Sequence, residues 1–305
     1  MTEGMFQPSE SFAQQLDAED PLRAYRERFS FPKQEGNQEC IYMCGNSLGL
    51  MPKTAKRFVE EELEAWQTLA VDGHFQGRRP WFDYHELFSE SAAQLVGAQK
   101  GEVVIMNSLT VNLHLMMVSF YRPTADRFQI LIEETAFPSD RYAVQSQAKH
   151  HGFDPEETIV VMKPREGENL LRTEDIESYL ENEGSKVALV LFGGVNFYTG
   201  QAYDMKRIAA AAHQAGAYCG FDLAHAAGNL HLKLHDWNVD FAPFCTYKYI
   251  NAGPGAVAGC FVHARHGKDL DLPRFAGWWG IDPKRRFEMP GDFTAQEGAD
   301  GWQLS

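Results

Sequence analysis

From Glu102 onwards, short apolar runs alternate with helix-patterned stretches, and this alternation constrains the fold more than any other feature. EVVIM, FQILIEE, TIVVM, KVALVLF, AYCGFD and the run before Lys248 read as strands. NSLT begins a helix through Met117, and FPSD opens one through about Lys149. Thr173 is expected to cap a helix to about Asn182, and Asp204 one that ends at Gly216. Apolar strands with helices between them predict an α/β fold, a mostly parallel sheet covered by helices on both faces. Ligands of such sheets sit beyond the carboxyl ends of the strands. Asn107 to Thr110, Asp222 and the pair Tyr247-Lys248 fall at such ends.

Two of these strand ends carry residues with distinctive chemistry. FAPFCTYKYINAGPG (241–255) reads as strand, lysine and a tight turn of small residues, with a further strand where apolar residues resume from Ala256 to Val262. A lysine there is either a surface residue or a partly desolvated amine able to form a Schiff base. YCGFDLAHAAG (218–228) is a second strand, ending in Asp222 with His225 three residues later. Asp222 reads either as the N-cap of a following helix or as a buried carboxylate. Taken together, the pair fits pyridoxal phosphate. That cofactor needs an amine for its aldehyde and a carboxylate that keeps its ring nitrogen protonated.

FDLAHAAGN, LFGGVNFYTGQ (191–201), TYKYINAGPG and GWWG (277–280) resemble the kynureninases, pyridoxal-phosphate enzymes of the aspartate-aminotransferase fold superfamily (fold type I). YMCGNSLGLMPK, NSLTVNLHLMM and FPSDRYAVQSQ extend the likeness over nearly the whole chain from Tyr42. The resemblance implies that Lys248 carries the cofactor, Asp222 pairs with its ring nitrogen and His225 lies near its phenolic oxygen. It implies that Leu109 and Thr110 bind the phosphate, with Tyr247 reaching it and relaying protons. Phe137 would stack on the ring, with Asp140 nearby. Trp278 would reach the phosphate of a neighbouring subunit in a homodimer, and His74 would contact the substrate's aromatic end. The implied reaction is hydrolysis of L-kynurenine, or 3-hydroxykynurenine, to anthranilate or its 3-hydroxy form and L-alanine. That places the chain in tryptophan catabolism and the route to NAD. A cysteine desulfurase would share Asp222 and Lys248, and a cofactor-binding protein without activity is the alternative of another class.

Many relatives carry Ser where this chain has Gly193. The likeness also implies that family members continue past Ser305 with a small domain holding a carboxylate-gripping arginine. On that expectation the chain divides into an N-terminal segment and pocket loop (1–50), a large cofactor domain (51–275) and the start of the small domain (276–305). The chain as given is then expected to be inactive or nearly so.

Composition narrows the classes further. Lys and Arg number 28 against 42 Asp and Glu, which argues against a nucleic-acid surface. No run is long and apolar enough to span a membrane, and MTEGMFQPSE lacks the features of a secretory signal. The five cysteines form no Cys-x-x-Cys pair, so no metal site is expected and a reducing, cytoplasmic setting fits. Residues 54–71 read as an amphipathic helix with Phe58, Leu63, Trp66 and Leu69 on one face, followed by a second helix from about Tyr84 to Val96.

Overall fold

The computed structural model describes residues 6–304. The first five residues of the stretch read as lacking a secretory signal, and Ser305, lie outside them. The elements run α1 (Glu10–Glu19), β1 (Phe29–Ser30), β2 (Met51–Pro52), α2 (Ala55–Leu69), α3 (Glu86–Val96), β3 (Val103–Ile105) and α4 (Leu109–Phe120). Next come β4 (Gln129–Glu133), α5 (Pro138–His150), α6 (Pro155–Thr158), β5 (Ile159–Met162), α7 (Thr173–Glu183) and β6 (Val187–Gly193). The series closes with α8 (Met205–Gln214), β7 (Tyr218–Asp222), β8 (Phe241–Phe244), β9 (Gly259–Val262) and α9 (Ala264–Gly267).

Seven strands form one sheet in the order β3-β9-β8-β7-β6-β4-β5. Strands β4 to β8 pair in parallel, and β9 lies antiparallel between β8 and β3. The fold expected from the alternation is therefore present. Successive strand residues point to opposite faces, so each strand feeds two cores. Leu131, Val190, Phe192 and Phe221 pack under α3, α7 and α8 with Val96, Ile176 and Ile208. Ile130, Ile132, Leu189 and Leu191 pack under α4 and α5 with Leu113, Phe120 and Val144.

Two glycines set the spacing in the centre of the sheet. Gly220 on β7 sits opposite Phe241 on β8, and Gly259 on β9 sits opposite Phe244. A Cβ on Gly220 would meet the Phe241 ring at 2.2 Å, and one on Gly259 the Phe244 ring at 2.2 Å. Each phenylalanine thus lies flat over a neighbour that has no side chain.

Helix starts follow the sequence in one case and depart by a residue in another. Asp204 caps α8, its carboxylate accepting the Arg207 N–H at 3.1 Å. Thr173 is the first residue of α7 rather than its cap; Arg172 takes that place with extended backbone and no side-chain bond. An arginine has no acceptor to offer there. Glu174 and Asp175 instead place negative charge on the helix N-terminus.

The apolar face expected on residues 54–71 exists, but α2 ends at Leu69 and buries none of it. Phe58, Val59, Leu63 and Trp66 are exposed, Trp66 by 67%. At the other end of the chain, Trp302 is fully buried against α4. Its Nε1 donates to Ser119 Oγ at 2.9 Å. Among the described residues no helix is long and apolar enough to cross a membrane, and all five cysteines are free.

Candidate active site

The carboxyl ends of β4, β6, β7 and β8 and the N-termini of α4 and α5 enclose a cleft with about 530 Å³ of open space. Of the residues singled out in the sequence, Leu109, Thr110, Phe137, Asp140, Asp222, His225, Tyr247 and Lys248 all line it. This convergence follows from the topology: parallel strands deliver every carboxyl end to one edge.

Lys248 follows β8 and is partly buried. The turn after it needs left-handed backbone at Asn251, Gly253 and Gly255, with φ of 61°, 94° and 77°. The GNSLG loop buttresses this turn from behind. Gly49 N donates to the Tyr247 carbonyl at 2.8 Å, and Asn251 Nδ2 donates to the Leu50 carbonyl at 3.0 Å. A Cβ on Gly49 would lie 2.3 Å from the Lys248 carbonyl oxygen, so only glycine allows the approach.

Inside the cleft, Lys248 Nζ lies 3.0 Å from Nε2 of His225. Burial, helped by the lysine charge, lowers the His225 pKa to about 4. The imidazole is therefore neutral near pH 7, and its Nε2 can accept from the amine. The Phe137 ring centre lies 5.9 Å from the same amine, and Phe197 meets that ring edge-on at 5.2 Å. Burial also raises the pKa of Tyr247, which keeps its phenol protonated near neutrality.

Asp222 ends β7, with its Oδ1 accepting the Ala224 N–H at 2.6 Å. Asp140, in the first turn of α5, lines the same cleft beside it. Burial raises both pKa values, and the neighbouring Asp222 charge raises that of Asp140 further. Asp140 Oδ1 has no partner. At the other end of the cleft, Thr110 Oγ1 and Ser139 Oγ meet at 2.8 Å. They stand in the first turns of α4 and α5, where two helix N-termini converge.

These features fit pyridoxal phosphate. Paired hydroxyls and helix N-termini suit a phosphate. The unpartnered buried carboxyl oxygen and Asp222 suit a protonated ring nitrogen, an aromatic ring flanks the space between, and an amine faces it.

Several residues of the cleft were not expected. Ser139 stands beside two residues that were. Glu133 comes from the end of β4, where no motif marks it, and Val195 from the LFGGVNFYTGQ stretch after β6, which carried the resemblance without giving Val195 a role. Gly193, noted only as a departure from relatives, donates its N–H to Glu133 Oε1 at 3.0 Å. Two expected residues do not line the cleft. His74 packs edge-on against Trp81 at 5.6 Å. Trp278 donates its Nε1 to the Arg286 carbonyl at 2.9 Å and meets Phe287 edge-on.

Residues 51–268 match the aminotransferase class-V family model. The chain is 59% identical to the kynureninase of Myxococcus xanthus (strain DK1622), over 99% of this chain and 71% of the relative. It is 55% identical to that of Koribacter versatilis (strain Ellin345), over 100% and 72%. The kynureninase of Nematostella vectensis is 51% identical over 97% and 66%. Among solved structures, the cystine C–S lyase C-DES, as a mutant with glycine covalently linked to its PLP cofactor, superposes with a TM-score of 0.69. The superposition covers 92% of this chain and 69% of the lyase, at 19% identity. A cysteine desulfurase from Thermococcus onnurineus NA1 gives 0.65 over 99% and 67% at 18% identity. Identities this low speak for the fold alone, whereas 51–59% across nearly the whole sequence speaks for more: the chain belongs to the kynureninase family.

Proposed function

We propose that this protein is a pyridoxal-phosphate-dependent hydrolase that cleaves the Cβ–Cγ bond of L-kynurenine to give anthranilate and L-alanine. The observation that carries this reading is the placement of Lys248, His225, Asp222 and Asp140 in one cleft, in a chain 51–59% identical to kynureninases.

When bound, the cofactor supplies an electron sink for the carbanion formed at the substrate's Cα. The remaining tasks fall to the chain. Lys248 would hold the cofactor through its amine, and the same amine would take and return the substrate's Cα proton. His225, neutral beside it, accepts a hydrogen bond from that amine. Asp222 would hold a proton at the ring nitrogen, with its carboxylate oriented by the backbone N–H of Ala224. Thr110 and Ser139 anchor the phosphate with the helix N-termini behind them. Phe137 covers one ring face. Tyr247, with a phenol that keeps its proton, would relay protons on the γ-carbonyl side as water adds.

A homodimer belongs to the same reading. The uncovered apolar face of α2 supports it, as does the separation of His74 and Trp278 from this chain's own cleft. Both would then serve a second copy's site. Five free thiols are compatible with a reducing, cytoplasmic setting. No observation favours the desulfurase reading beyond a shared fold.

The experiment is turnover of L-kynurenine followed by anthranilate fluorescence. It is run on the chain alone and on the chain joined to the part of the M. xanthus relative that it does not cover. Anthranilate from either, lost in Asp222→Ala, supports the function. Its absence from both, with cofactor bound, refutes it.

A further inference from the structure

Glu133 has no part in the chemistry above, yet it is built into the site. It ends β4 with 4% of its surface exposed. Its Oε1 accepts the Gly193 N–H at 3.0 Å, and its Oε2 has no partner. An unsatisfied buried carboxyl oxygen costs about 1–3 kcal/mol or more, so its presence calls for an explanation.

The surroundings supply one. Glu133 lines the cleft beside Asp222 and Asp140. It also lines a second cavity, formed with Thr135, Leu170, Leu171, Tyr198 and Tyr203 beyond the ends of β4 and β5. It is the one described residue common to both walls. Burial acts on it first, then the Gly193 N–H, its own backbone N–H and the charge of Asp222. Its own charge in turn acts on Asp140 and on the phenol of Tyr203.

We propose that Glu133 is a proton relay connecting the Asp140–Asp222 pair to solvent in the second cavity. The proposal rests on the cofactor reading of the cleft. A cofactor seated there covers the pair from the open side, and proton exchange with its ring nitrogen must then pass through the wall. The step balances without any other reactant: Glu133 gives a proton to the pair and takes one from water in the second cavity, or the reverse. Burial pushes the Glu133 pKa up to about 7, which suits a group that gains and loses protons near neutrality. It acts through Asp140 and Asp222 and touches no substrate.

The test follows the proton itself. Cofactor-loaded protein is moved into D₂O, and loss of the ring-nitrogen proton resonance is followed by NMR. In Glu133→Gln, which keeps an acceptor for Gly193 but carries no acidic proton, exchange is expected to slow by roughly two orders of magnitude. Added formate or imidazole should restore it, while Glu133→Asp should exchange near the parent rate. Leu170→Trp, which obstructs the second cavity from outside, should also slow exchange. Parent-like exchange in Glu133→Gln would overturn the relay, and so would slowing that small acids do not relieve. If Glu133→Gln fails to fold, unaltered exchange in Leu170→Trp would still overturn it. A loaded parent protein without any ring-nitrogen resonance would instead refute the pairing of Asp222 with the ring, and the relay with it.

Discussion

At the scale of single residues, the site is a set of groups whose charge states are displaced by burial. His225 stays neutral because it is half enclosed beside an amine. Burial, and then the charge of Asp222 beside it, raise the pKa of Asp140. Glu133 has the most accessible consequence. Burial pushes its pKa up to about 7 in the folded protein, from about 4.3 when unfolded. The unfolded chain therefore releases that proton first, and stability falls as pH rises from about 4 to 7. The penalty approaches about 3–4 kcal/mol above pH 7. Cofactor-free Glu133→Gln is accordingly expected to be more stable than the parent at pH 8 and no more stable at pH 4. Urea melts at the two pH values check this, and an equal effect at both would contradict it. Lys248, Asp222 and His225 were legible in the sequence because each sits in a contiguous motif. Glu133 was not: one acid of the pair in FQILIEE looks like the other until the sheet shows which faces inward.

At the scale of elements, strands and helices were legible because their periodicity is strong, and the sheet order was not. Pairing β9 antiparallel between β8 and β3 depends on contacts far apart in sequence. The Gly220–Phe241 contact is of the same kind. Gly220→Ala would drive a methyl into the ring, and overpacking of this sort costs about 1–3 kcal/mol. A lowered urea midpoint is the expected result, and an unchanged midpoint would show that the sheet can shift to admit it.

Asp240, just before β8, ties other elements together. It accepts from His213 Nε2 at 2.8 Å, His266 Nε2 at 2.6 Å, Arg265 and, with the first of these, the Cys219 N–H at 2.6 Å. Burial opposes its charge, but these donors and the Arg265 cation hold its pKa well below the usual carboxylate range. The stabilisation is therefore complete above pH 4 and lost as pH falls through that depressed value. Asp240→Asn is expected to cost about 3–5 kcal/mol at pH 7, the scale for breaking a buried ion pair. The difference from the parent should shrink steadily below pH 4, as paired melts would show.

At the scale of the whole molecule, the feature to explain is the strongly amphipathic helix α2, which buries none of its residues. The sequence read α2 correctly as amphipathic, but an apolar face alone does not tell which surface covers it. Phe58, Leu63 and Trp66 lie exposed along it, with Trp81 and Tyr84 alongside. Large aromatic side chains are typical anchors of interfaces between subunits. On the proposed homodimer, Trp66→Glu, placed where no fold contact is lost, should shift the equilibrium towards monomer in light scattering while leaving the circular dichroism unchanged. A parent that is monomeric at all concentrations would show that α2 serves another purpose.

The central claim is that this cleft holds pyridoxal phosphate through Lys248, and one measurement addresses it most directly. The protein is loaded with cofactor, reduced with borohydride, digested and mapped by mass spectrometry. The account expects the pyridoxyl group on the peptide containing Lys248, at one equivalent per chain, and its disappearance in Lys248→Ala. A label on any other lysine of the parent protein, with Lys248 unmodified, would contradict it.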